Sequence, residues 1–322
     1  MINRDLIDSQ ALHIFVVISE SQSLTDAANR LGVTQSAVSQ SLKGLEGLMG
    51  VELVVRRTTP LRLTHAGLAL KQQADVILGD LRRLTVTIRE SANKGLINCR
   101  VGLVSSMSEV FGLTILQHLD GCAERVQLRS GNTPTLIKAF LNREIDILIS
   151  DAMLSDASHL ERHPLFRDPM IMAVGRGVVG DDMSTPAAIA AQLPMIKYDR
   201  TAHIGTYVEM AMRRMQLLAN VRTETDDTHT LMRFVVEGQG WSVLSALCLA
   251  QSRVGAEKIN VLPLDDSRHA RQLYLLARQA EMGSVPTMLT EAIMAALQQE
   301  VLPGLQRLAP WLKAEQLRTV SL

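Results

Sequence analysis

The chain has 322 residues, more than one hydrophobic core commonly organises, so more than one domain is expected. Lys and Arg (33) balance Asp and Glu (33), so overall charge neither favours nor excludes a nucleic-acid partner. Aromatic residues are only 3% of the chain, and Phe15 is the only one in the first hundred positions, which argues against an N-terminal platform for stacking single-stranded bases. Residues 1–95 carry 11 basic and 9 acidic side chains, so any DNA contact would depend on where the charges lie.

Enzymatic and exported classes are not expected. The three cysteines, Cys99, Cys122 and Cys248, lack CxxC or metal-ligand spacing, and we interpret them as reduced and structural, as in a cytoplasmic protein. GxSxG, HExxH, P-loop and GxGxxG motifs are absent, so no catalytic residue, metal or cofactor is predicted. The apolar stretch ALHIFVVI is too short to span a bilayer, and no small-residue cleavage site accompanies it.

The first informative segment is LTDAANRLGVTQSAVSQSLKGLE, residues 24–46, in which two amphipathic runs flank one glycine. Gly32 breaks the first run, Val33 is expected to insert into the core, and Thr34 is predicted to cap the second helix. The apolar positions repeat at helical spacing and are expected to face inward: Leu24, Ala28 and Leu31 in the first run, Val38, Leu42 and Leu45 in the second.

The outward face of the second run carries amides, hydroxyls and one lysine: Gln35, Ser36, Ser39, Gln40 and Lys43. Two helices joined by a tight glycine turn predict a helix-turn-helix. Its second helix can enter the major groove, where amides and hydroxyls contact base edges and Lys43 can contact phosphate. An ordinary helical hairpin with a solvated polar face is the alternative.

The flanking segments favour the DNA-binding interpretation. Upstream, an apolar helix able to support the pair is predicted from Leu12, Phe15, Val16 and Ile18. Downstream, VELVVRRTTPLRLT (51–64) predicts two short strands around a Thr-Thr-Pro turn, which together form a wing. Three arginines in this wing are available for contacts with the DNA backbone: Arg56, Arg57 and Arg62.

Residues 15–67 resemble the N-terminal region of the LysR-type transcriptional regulators, because the hairpin, recognition helix, wing and closing LTHAG all occur in register. Gln40 stands where the family usually has Arg, and Thr59-Pro60 where basic wing residues are common, so weaker phosphate contacts or a shifted site preference are expected. The predicted DNA-binding set is Thr34, Gln35, Ser36, Ser39, Gln40, Lys43, Arg56, Arg57 and Arg62.

A long helix is predicted after the wing, capped by Thr64 and extending to about residue 91. Its apolar residues alternate spacings of four and three and form a heptad seam: Leu70, Ala74, Ile77, Leu81, Leu84 and Ile88. Packing on its own domain is the alternative, but so small a domain cannot cover so long a helix. The resemblance implies a dimerising linker helix, commonly within a tetramer. Two paired recognition helices would suit a dyad-symmetric site.

Beyond a hinge at 92–98, strands alternate with helices, which predicts a parallel, open α/β fold. The strands are predicted at 99–104, 125–130, 145–150, 170–174, 194–198, 221–225, 241–245 and 271–277, and the helices at 108–119, 133–143, about 205–219, 228–237 and 286–299. The resemblance implies a two-lobed effector domain similar to periplasmic binding proteins. The predicted domains are 1–64 (winged helix-turn-helix), 65–91 (linker helix), 92–98 (hinge), 99–300 (effector domain) and 301–322 (tail), with lobe I at about 99–166 and 270–300 and lobe II at about 167–269.

A ligand cleft is predicted beyond the carboxyl ends of the strands, between the two lobes. Ser105 and Ser106, Asn132 with Thr133 as a cap, and Thr228 lie where helices begin, and helix N-termini attract anions. Hydroxyls that serve only as caps are the alternative. Further candidates are expected on loops at other strand ends: Asp151, Tyr198, Arg200, Thr201 and His203. Arg200 is the preferred counter-charge, and a solvated loop arginine is the alternative. The predicted effector-binding set is Ser105, Ser106, Asn132, Thr133, Asp151, Tyr198, Arg200, Thr201 and Thr228.

These features predict a cytoplasmic LysR-type regulator that binds a dyad-symmetric operator as a dimer or tetramer and responds to a small anionic metabolite, such as one bearing a carboxylate. The expected partners are double-stranded DNA, the effector, further copies of the chain and RNA polymerase, without a membrane. Thiol sensing is disfavoured, because residues 198–208 contain no cysteine. The alternatives are a solute-binding protein dimerised by its N-terminal helices and an enzyme on an α/β scaffold.

Overall fold

The computed structural model describes residues 7–55, 58, 60–92, 96–155, 157, 159–178, 180, 184–199, 202–264 and 270–318. The chain divides into two compact units, Met1–Ala92 and Asn93–Leu322, which are described separately below. Within the described residues, no helix combines the length and apolar character needed to cross a bilayer.

The described residues of the N-terminal unit form four helices and a two-stranded antiparallel sheet. The elements are α1 (Ser9–Ser19), α2 (Leu24–Leu31), α3 (Gln35–Met49), β1 (Val54–Val55), β2 (Arg62–Leu63) and α4 (His65–Ser91). Side-chain caps define the helix starts, as Ser23 accepts from the Asp26 amide and Thr34 accepts from the Ala37 amide at 3.3 Å. Gly32, at a φ of +66°, ends α2 in the left-handed conformation that favours glycine.

One apolar cluster fixes the angle between α2 and α3. Its buried members come from all three short helices and the first strand: Phe15, Ile18, Ala27, Ala28, Val38, Leu42, Leu45, Leu53 and Val54. The prediction that Val33 inserts into this core is wrong, because its side chain is 45% exposed. Its amide bonds back to the Ala28 carbonyl at 3.1 Å, so the turn closes through the backbone and the side chain is directed outward.

The heptad seam of α4 has two environments within a single chain. Ala74 and Leu78 are buried against Leu12 and Val16 of α1, and Leu70 packs on the same cluster. The rest of the seam is exposed, at 43% for Ile77 and Leu81, 58% for Leu84 and 60% for Ile88. Packing on its own unit therefore accounts for only the first part of the seam.

The C-terminal unit is built on one mixed sheet. The strand order is β4-β3-β5-β11-β6-β9-β7-β8, with β10 also paired to β6. The strands are β3 (Leu96–Val104), β4 (Ala123–Gly131), β5 (Ile147–Ser150), β6 (Leu160–Gly175), β7 (Met195–Tyr198), β8 (Val221–Thr225), β9 (Trp241–Ser245), β10 (Ile259–Pro263) and β11 (Ala270–Arg278). The helices are α5 (Ser105–Leu119), α6 (Thr133–Leu141), α7 (Pro186–Gln192), α8 (Ile204–Arg214), α9 (Thr228–Val236), α10 (Ala246–Ser252), α11 (Val285–Ala296) and α12 (Leu302–Leu308).

The long strand β6 joins the two lobes of this unit. Its first part pairs with β11, and its last part pairs with β9 and β10. We call the side with β3, β4, β5 and β11 lobe I, which includes α5, α6 and α11, and the side with β7 to β10 lobe II, which includes α7 to α10. The carboxyl ends of β3, β4 and β5, and of β7 and β8, lead into the region between the lobes.

Several predicted boundaries are wrong. The predicted hinge overlaps β3, which begins at Leu96 because its backbone pairs with Ala123. The strand predicted at 170–174 starts at Leu160, despite Pro164 and Pro169, which resemble strand breakers in the sequence. The sheet is not purely parallel, since β6 and β11 are antiparallel to each other.

The tail predicted at 301–322 contains ordered structure. Helix α12 is followed by a 3₁₀ turn at Ala314–Leu317, and Leu305, Leu312 and Leu317 are buried. Trp311 donates its indole N–H to the Val261 carbonyl of β10 at 3.1 Å. The described part of the tail, which ends at residue 318, therefore packs on lobe II.

Candidate DNA-binding surface and interlobe cavity

The outward face of α3 presents short polar side chains from a rigid helix. Gln35, Ser36, Gln40 and Lys43 are exposed, and Ser39 is half-buried. The inner residues of α3 are buried in the core cluster, so the core fixes the orientation of this face. Hydroxyls and amides can both donate to and accept from base edges, which is the chemistry that major-groove recognition requires.

Thr34 combines two roles at the start of α3. Its hydroxyl caps the Ala37 amide and lies 3.0 Å from the Ser36 hydroxyl. This pair orients Ser36 next to Gln35, and the free N–H groups of the first helical turn add a site that favours phosphate.

The wing is tied to the helices by hydrogen bonds. Glu46 accepts from the Leu53 amide at 2.9 Å, and Thr64 donates to the Glu52 carbonyl while it accepts from the Gly67 amide. Arg62 is exposed on β2. Arg56 and Arg57, also predicted to contact DNA, lie outside the described residues.

In the C-terminal unit, a cavity of about 100 Å³ lies between the lobes. We call it the interlobe cavity. It is lined by Val104, Ser105, Ser106, Gly131, Asn132, Thr133, Tyr198, Ala202, His203, Ile204, Asp226, Thr228, Cys248, Gln251 and Arg271. Six of the residues predicted for effector binding are brought together here: Ser105, Ser106, Asn132, Thr133, Tyr198 and Thr228. Arg200 and Thr201 lie outside the described residues.

The predicted caps are displaced by one residue. Asn132, not Thr133, caps α6 and accepts from the Thr135 amide at 3.0 Å. Asp227 caps α9, and Val104 precedes α5 without a side-chain cap. Because Thr133 and Thr228 are the first residues inside their helices, their hydroxyls are available for other contacts. Thr228 bonds the hydroxyl of Tyr198, at 2.9 Å, and Tyr198 is the last residue of β7 and not a loop residue.

A buried arginine that the sequence analysis missed lines the cavity. Arg271 is only 5% exposed, and its Nε donates to Asp168 Oδ2 at 2.8 Å. Its Nη2 donates to Ser106 at 2.7 Å, whereas no described residue accepts a hydrogen bond from Nη1. Burial alone would lower the pKa of Arg271, but the charge of Asp168 raises it above its ordinary value. A permanent cation therefore lines the cavity, with one donor group, Nη1, that no described residue occupies.

Asp151 lies behind the cavity lining, at the end of β5. Thr133 donates to its Oδ1, and Nε2 of His203 lies 3.1 Å from its Oδ2. This contact does not meet hydrogen-bond geometry, so its attraction is mainly electrostatic. Burial would raise the pKa of Asp151, but His203 and Thr133 hold it well below its ordinary range, and Asp151 in turn raises the pKa of His203.

Two larger hollows lie elsewhere in the unit, about 400 Å³ beside β7 and α8 and about 560 Å³ between α10 and α12. Volume alone does not identify which of these three hollows is the ligand site. The interlobe cavity combines a buried guanidinium with the starts of α5 and α6, and polar groups that converge in this way are typical of ligand sites.

Among the described residues, neither the buried cysteines nor the possible metal ligands indicate a thiol-based or metal-binding site. Cys99 and Cys248 are buried, and burial raises the pKa of the Cys99 thiol to about 12, so this thiol stays protonated. Among the described residues, no group of three or more His, Cys, Asp or Glu side chains is placed to hold a metal ion.

Two family models match the chain. Residues 9–68 match the bacterial regulatory helix-turn-helix protein, lysR family, and residues 99–301 match the LysR substrate binding domain. Among curated relatives, SsuR of Burkholderia cenocepacia is 24% identical over 73% of this chain and 78% of its own length. TdcA of Escherichia coli K12 is 22% identical over 80% of this chain and 83% of its own length. Both are HTH-type transcriptional regulators.

Solved full-length regulators share the fold. An OxyR variant from Pseudomonas aeruginosa aligns with a TM-score of 0.63 at 19% identity, covering 89% of this chain and 95% of that chain. CbnR, solved in complex with its target DNA, aligns with a TM-score of 0.50 at 18% identity, covering 90% and 100%. Since the two matched family regions account for most of the sequence, the protein belongs to the LysR family of DNA-binding transcriptional regulators and is not an enzyme.

Proposed function

We propose that this regulator binds a dyad-symmetric operator as a dimer or tetramer and responds to a small carboxylate-bearing metabolite in the interlobe cavity. In the cytoplasm, residues 1–64 would bind DNA, 65–91 would pair subunits, and 99–300 would hold the effector. RNA polymerase is the proposed protein partner. The observation that carries the effector assignment is buried Arg271 in the cavity lining, whose Nη1 group has no acceptor among the described residues.

The DNA assignment to specific residues rests on exposure and chemistry. Gln35, Ser36, Ser39 and Gln40 would contact bases, with Thr34 and Lys43 on phosphate and the arginines of the wing along the backbone. CbnR in complex with its target DNA supports this proposal through the shared fold.

The subunit assignment rests on the exposed part of the heptad seam. Ile77, Leu81, Leu84 and Ile88 occupy one stripe of α4 and are solvent-exposed in a single chain. Burial of such a stripe against a second copy removes its apolar surface from water and spaces two α3 helices for half-sites one helical turn apart.

The effector assignment rests on the charge and donors of the cavity. A carboxylate can accept from Nη1 of Arg271, from the Ser105 hydroxyl and from the N–H groups that begin α5 and α6. Asn132, Thr133, Tyr198 and Thr228 would shape the rest of the site. The cavity volume of about 100 Å³ restricts the effector to a small molecule unless the lobes separate.

The DNA part is tested by a mobility-shift assay with fragments of the host genome, followed by binding of the selected fragment at several salt concentrations. We expect a specific duplex target whose affinity falls steeply with salt, because phosphate contacts release counterions. Binding that shows no preference for any duplex would contradict the proposal.

The effector part is tested by thermal-shift screening of small carboxylic acids, with calorimetry of those that stabilise the protein. Ser105→Ala should weaken binding, because Ser105 lines the cavity and is exposed enough to be replaced without a packing cost. Ser130→Ala, an exposed serine of β4 that does not line the cavity, is the matched control.

A further inference from the structure

We propose that Asp151, His203 and Tyr207 form an interlobe latch that holds the two lobes together in the absence of an effector. Asp151 belongs to lobe I, because it directly follows β5. His203 and Tyr207 belong to lobe II, at the start of α8. The contact of 3.1 Å between Asp151 Oδ2 and His203 Nε2 therefore joins the lobes beside the interlobe cavity.

The carboxylate of Asp151 is held in a buried position by neighbouring side chains. The side chain of Asp151 is 1% exposed, and Thr133 of α6 fixes its other oxygen. The Tyr207 ring lies edge-on to His203, with centroids 5.9 Å apart, and burial and the charge of Asp151 raise the pKa of Tyr207 above its ordinary value. If the lobes separated, Asp151 would lose His203, its cationic partner among the described residues of lobe II, while it kept its place in a poorly hydrated site.

The latch also competes with an anionic ligand, a consequence that rests on the effector site proposed above. A carboxylate entering the interlobe cavity would approach Thr133 and His203, which are the groups that hold Asp151. It would also add a like charge near Asp151. Such an effector binds the unlatched arrangement more tightly than the latched one, which is the differential affinity that a switch requires.

The latch has a defined pH window. Among the described residues, the charged and titratable groups around His203 are Asp151, Tyr207 and Arg271, and Asp226 lines the same cavity. Asp151 raises the pKa of His203 above 6.5, so the imidazolium contribution is complete below that value and is lost as the pH rises through the raised pKa. The pKa of Asp151 is lowered from 3.8, so its contribution is complete above that value and is lost only in stronger acid.

The test measures the distance between the lobes in the full-length protein without an effector. Dyes are placed on cysteines that replace two exposed residues, Lys138 of α6 in lobe I and Arg233 of α9 in lobe II, with Cys122 changed to Ser. Labelled subunits are diluted with an excess of unlabelled chain, so that energy transfer reports the distance within one subunit. Distances are compared between about pH 6 and pH 9, around the titration of histidine.

We expect a second, longer-distance population that grows with pH in the wild-type protein. It should be present at every pH in Asp151→Asn and insensitive to pH in His203→Gln, which cannot be protonated. His118→Gln, an exposed histidine of α5, should behave like the wild type. Circular dichroism verifies that each variant is folded.

Identical distance distributions in the wild type and Asp151→Asn would overturn the latch, and so would pH-dependent opening that persists in His203→Gln. Neither result would contradict the proposed effector site, which is tested separately by the binding of carboxylic acids. Failure of every carboxylic acid to bind would remove the competition but leave the latch intact.

Discussion

Arg271 and Asp168 face each other across the antiparallel ladder of β11 and β6, and their side chains form an ion pair of 2.8 Å. Both side chains are buried, at 5% and 1% exposure. Asp168 also accepts from the Leu247 amide at 2.8 Å, and Arg271 donates to Ser106 of α5. A single ion pair thus connects the strand shared by the lobes to the starts of α5 and α10.

Replacement of Arg271 by Met should destabilise the C-terminal unit by about 3–5 kcal/mol, because Asp168 would remain buried without its cation. Urea denaturation followed by the fluorescence of buried Trp241 measures this loss. The matched control is Arg129→Met, which removes an arginine paired with Glu144 at 2.7 Å on the surface and should cost at most about 1 kcal/mol. Equal losses in the two variants would contradict the importance of burial here.

Replacement of glycine by alanine should have opposite effects on stability at positions 67 and 44. A Cβ on Gly67 would collide with the Leu53 carbonyl oxygen, which the Thr64 amide holds at 3.0 Å, whereas a Cβ on Gly44 meets open space. Gly67→Ala should therefore destabilise the N-terminal unit by about 1–3 kcal/mol. Gly44→Ala, inside α3, should stabilise it by about 0.5–1 kcal/mol.

Hydrogen exchange of the full-length protein, followed by mass spectrometry, reports both effects in peptides of α1 to α3. The comparison is internally controlled, since each variant adds one methyl group to a helix. Slower exchange in Gly67→Ala than in the wild type would show that the backbone moves to accept the Cβ and would refute the expected clash.

The elements with strong periodicity could be predicted from the sequence. Strands 221–225 and 241–245 have the predicted bounds, and the helix after the wing is His65–Ser91. The long helix follows from apolar residues at helical spacing, whereas the two strands are short β-rich runs: 241–245 is buried throughout, and 221–225 contains Val and two Thr. Strand β6 could not be predicted in full, since Pro164 and Pro169 resemble strand breakers and its first part is defined by pairing with β11, which is distant in the sequence.

The residues of the candidate site that lie at helix starts could be predicted from the sequence. The residues whose role depends on a partner far away in the chain could not. Ser106 and Thr133 lie at the starts of α5 and α6, which the change from a strand pattern to a helix pattern indicates in the sequence. Arg271 is one charged residue in an apolar strand, and its importance depends on Asp168 from another part of the chain. The partnership of Asp151 and His203 depends on how the lobes pack, which no local pattern encodes.

Gln35 and Lys43 should affect DNA binding in different ways. Loss of a bidentate base contact in Gln35→Ala should reduce discrimination between operator variants by about 1–3 kcal/mol. Loss of a phosphate contact in Lys43→Ala should weaken binding to all sequences similarly and lower the slope of log affinity against log salt by about 1. Both side chains are exposed, so neither change should affect folding.

Fluorescence anisotropy with a set of single-base operator variants, at several salt concentrations, separates the two effects. If Gln35→Ala kept full discrimination, Gln35 would be removed from the proposed base-contacting set. If Lys43→Ala changed discrimination and not the salt slope, Lys43 would be assigned to a base and not to phosphate.

Leu84 of α4 should determine subunit pairing. Its side chain is 58% exposed in a single chain and lies on the same stripe as Leu81 and Ile88. Leu84→Glu would place a charge in the paired seam, where burial without a partner is costly, so we expect dissociation towards monomers and loss of binding to a two-half-site operator. Light scattering coupled to size-exclusion chromatography measures the mass.

Gln72→Glu is the matched control, since it introduces the same carboxylate on an exposed position of α4 outside the seam. This variant should keep the wild-type mass and operator affinity. Because Leu84 is exposed within its own chain, Leu84→Glu should leave the fold of the subunit unchanged, so dissociation can be separated from unfolding by circular dichroism. An unchanged mass for Leu84→Glu at the lowest measurable concentration would mean that subunits pair through another surface and that this part of the seam stays in water.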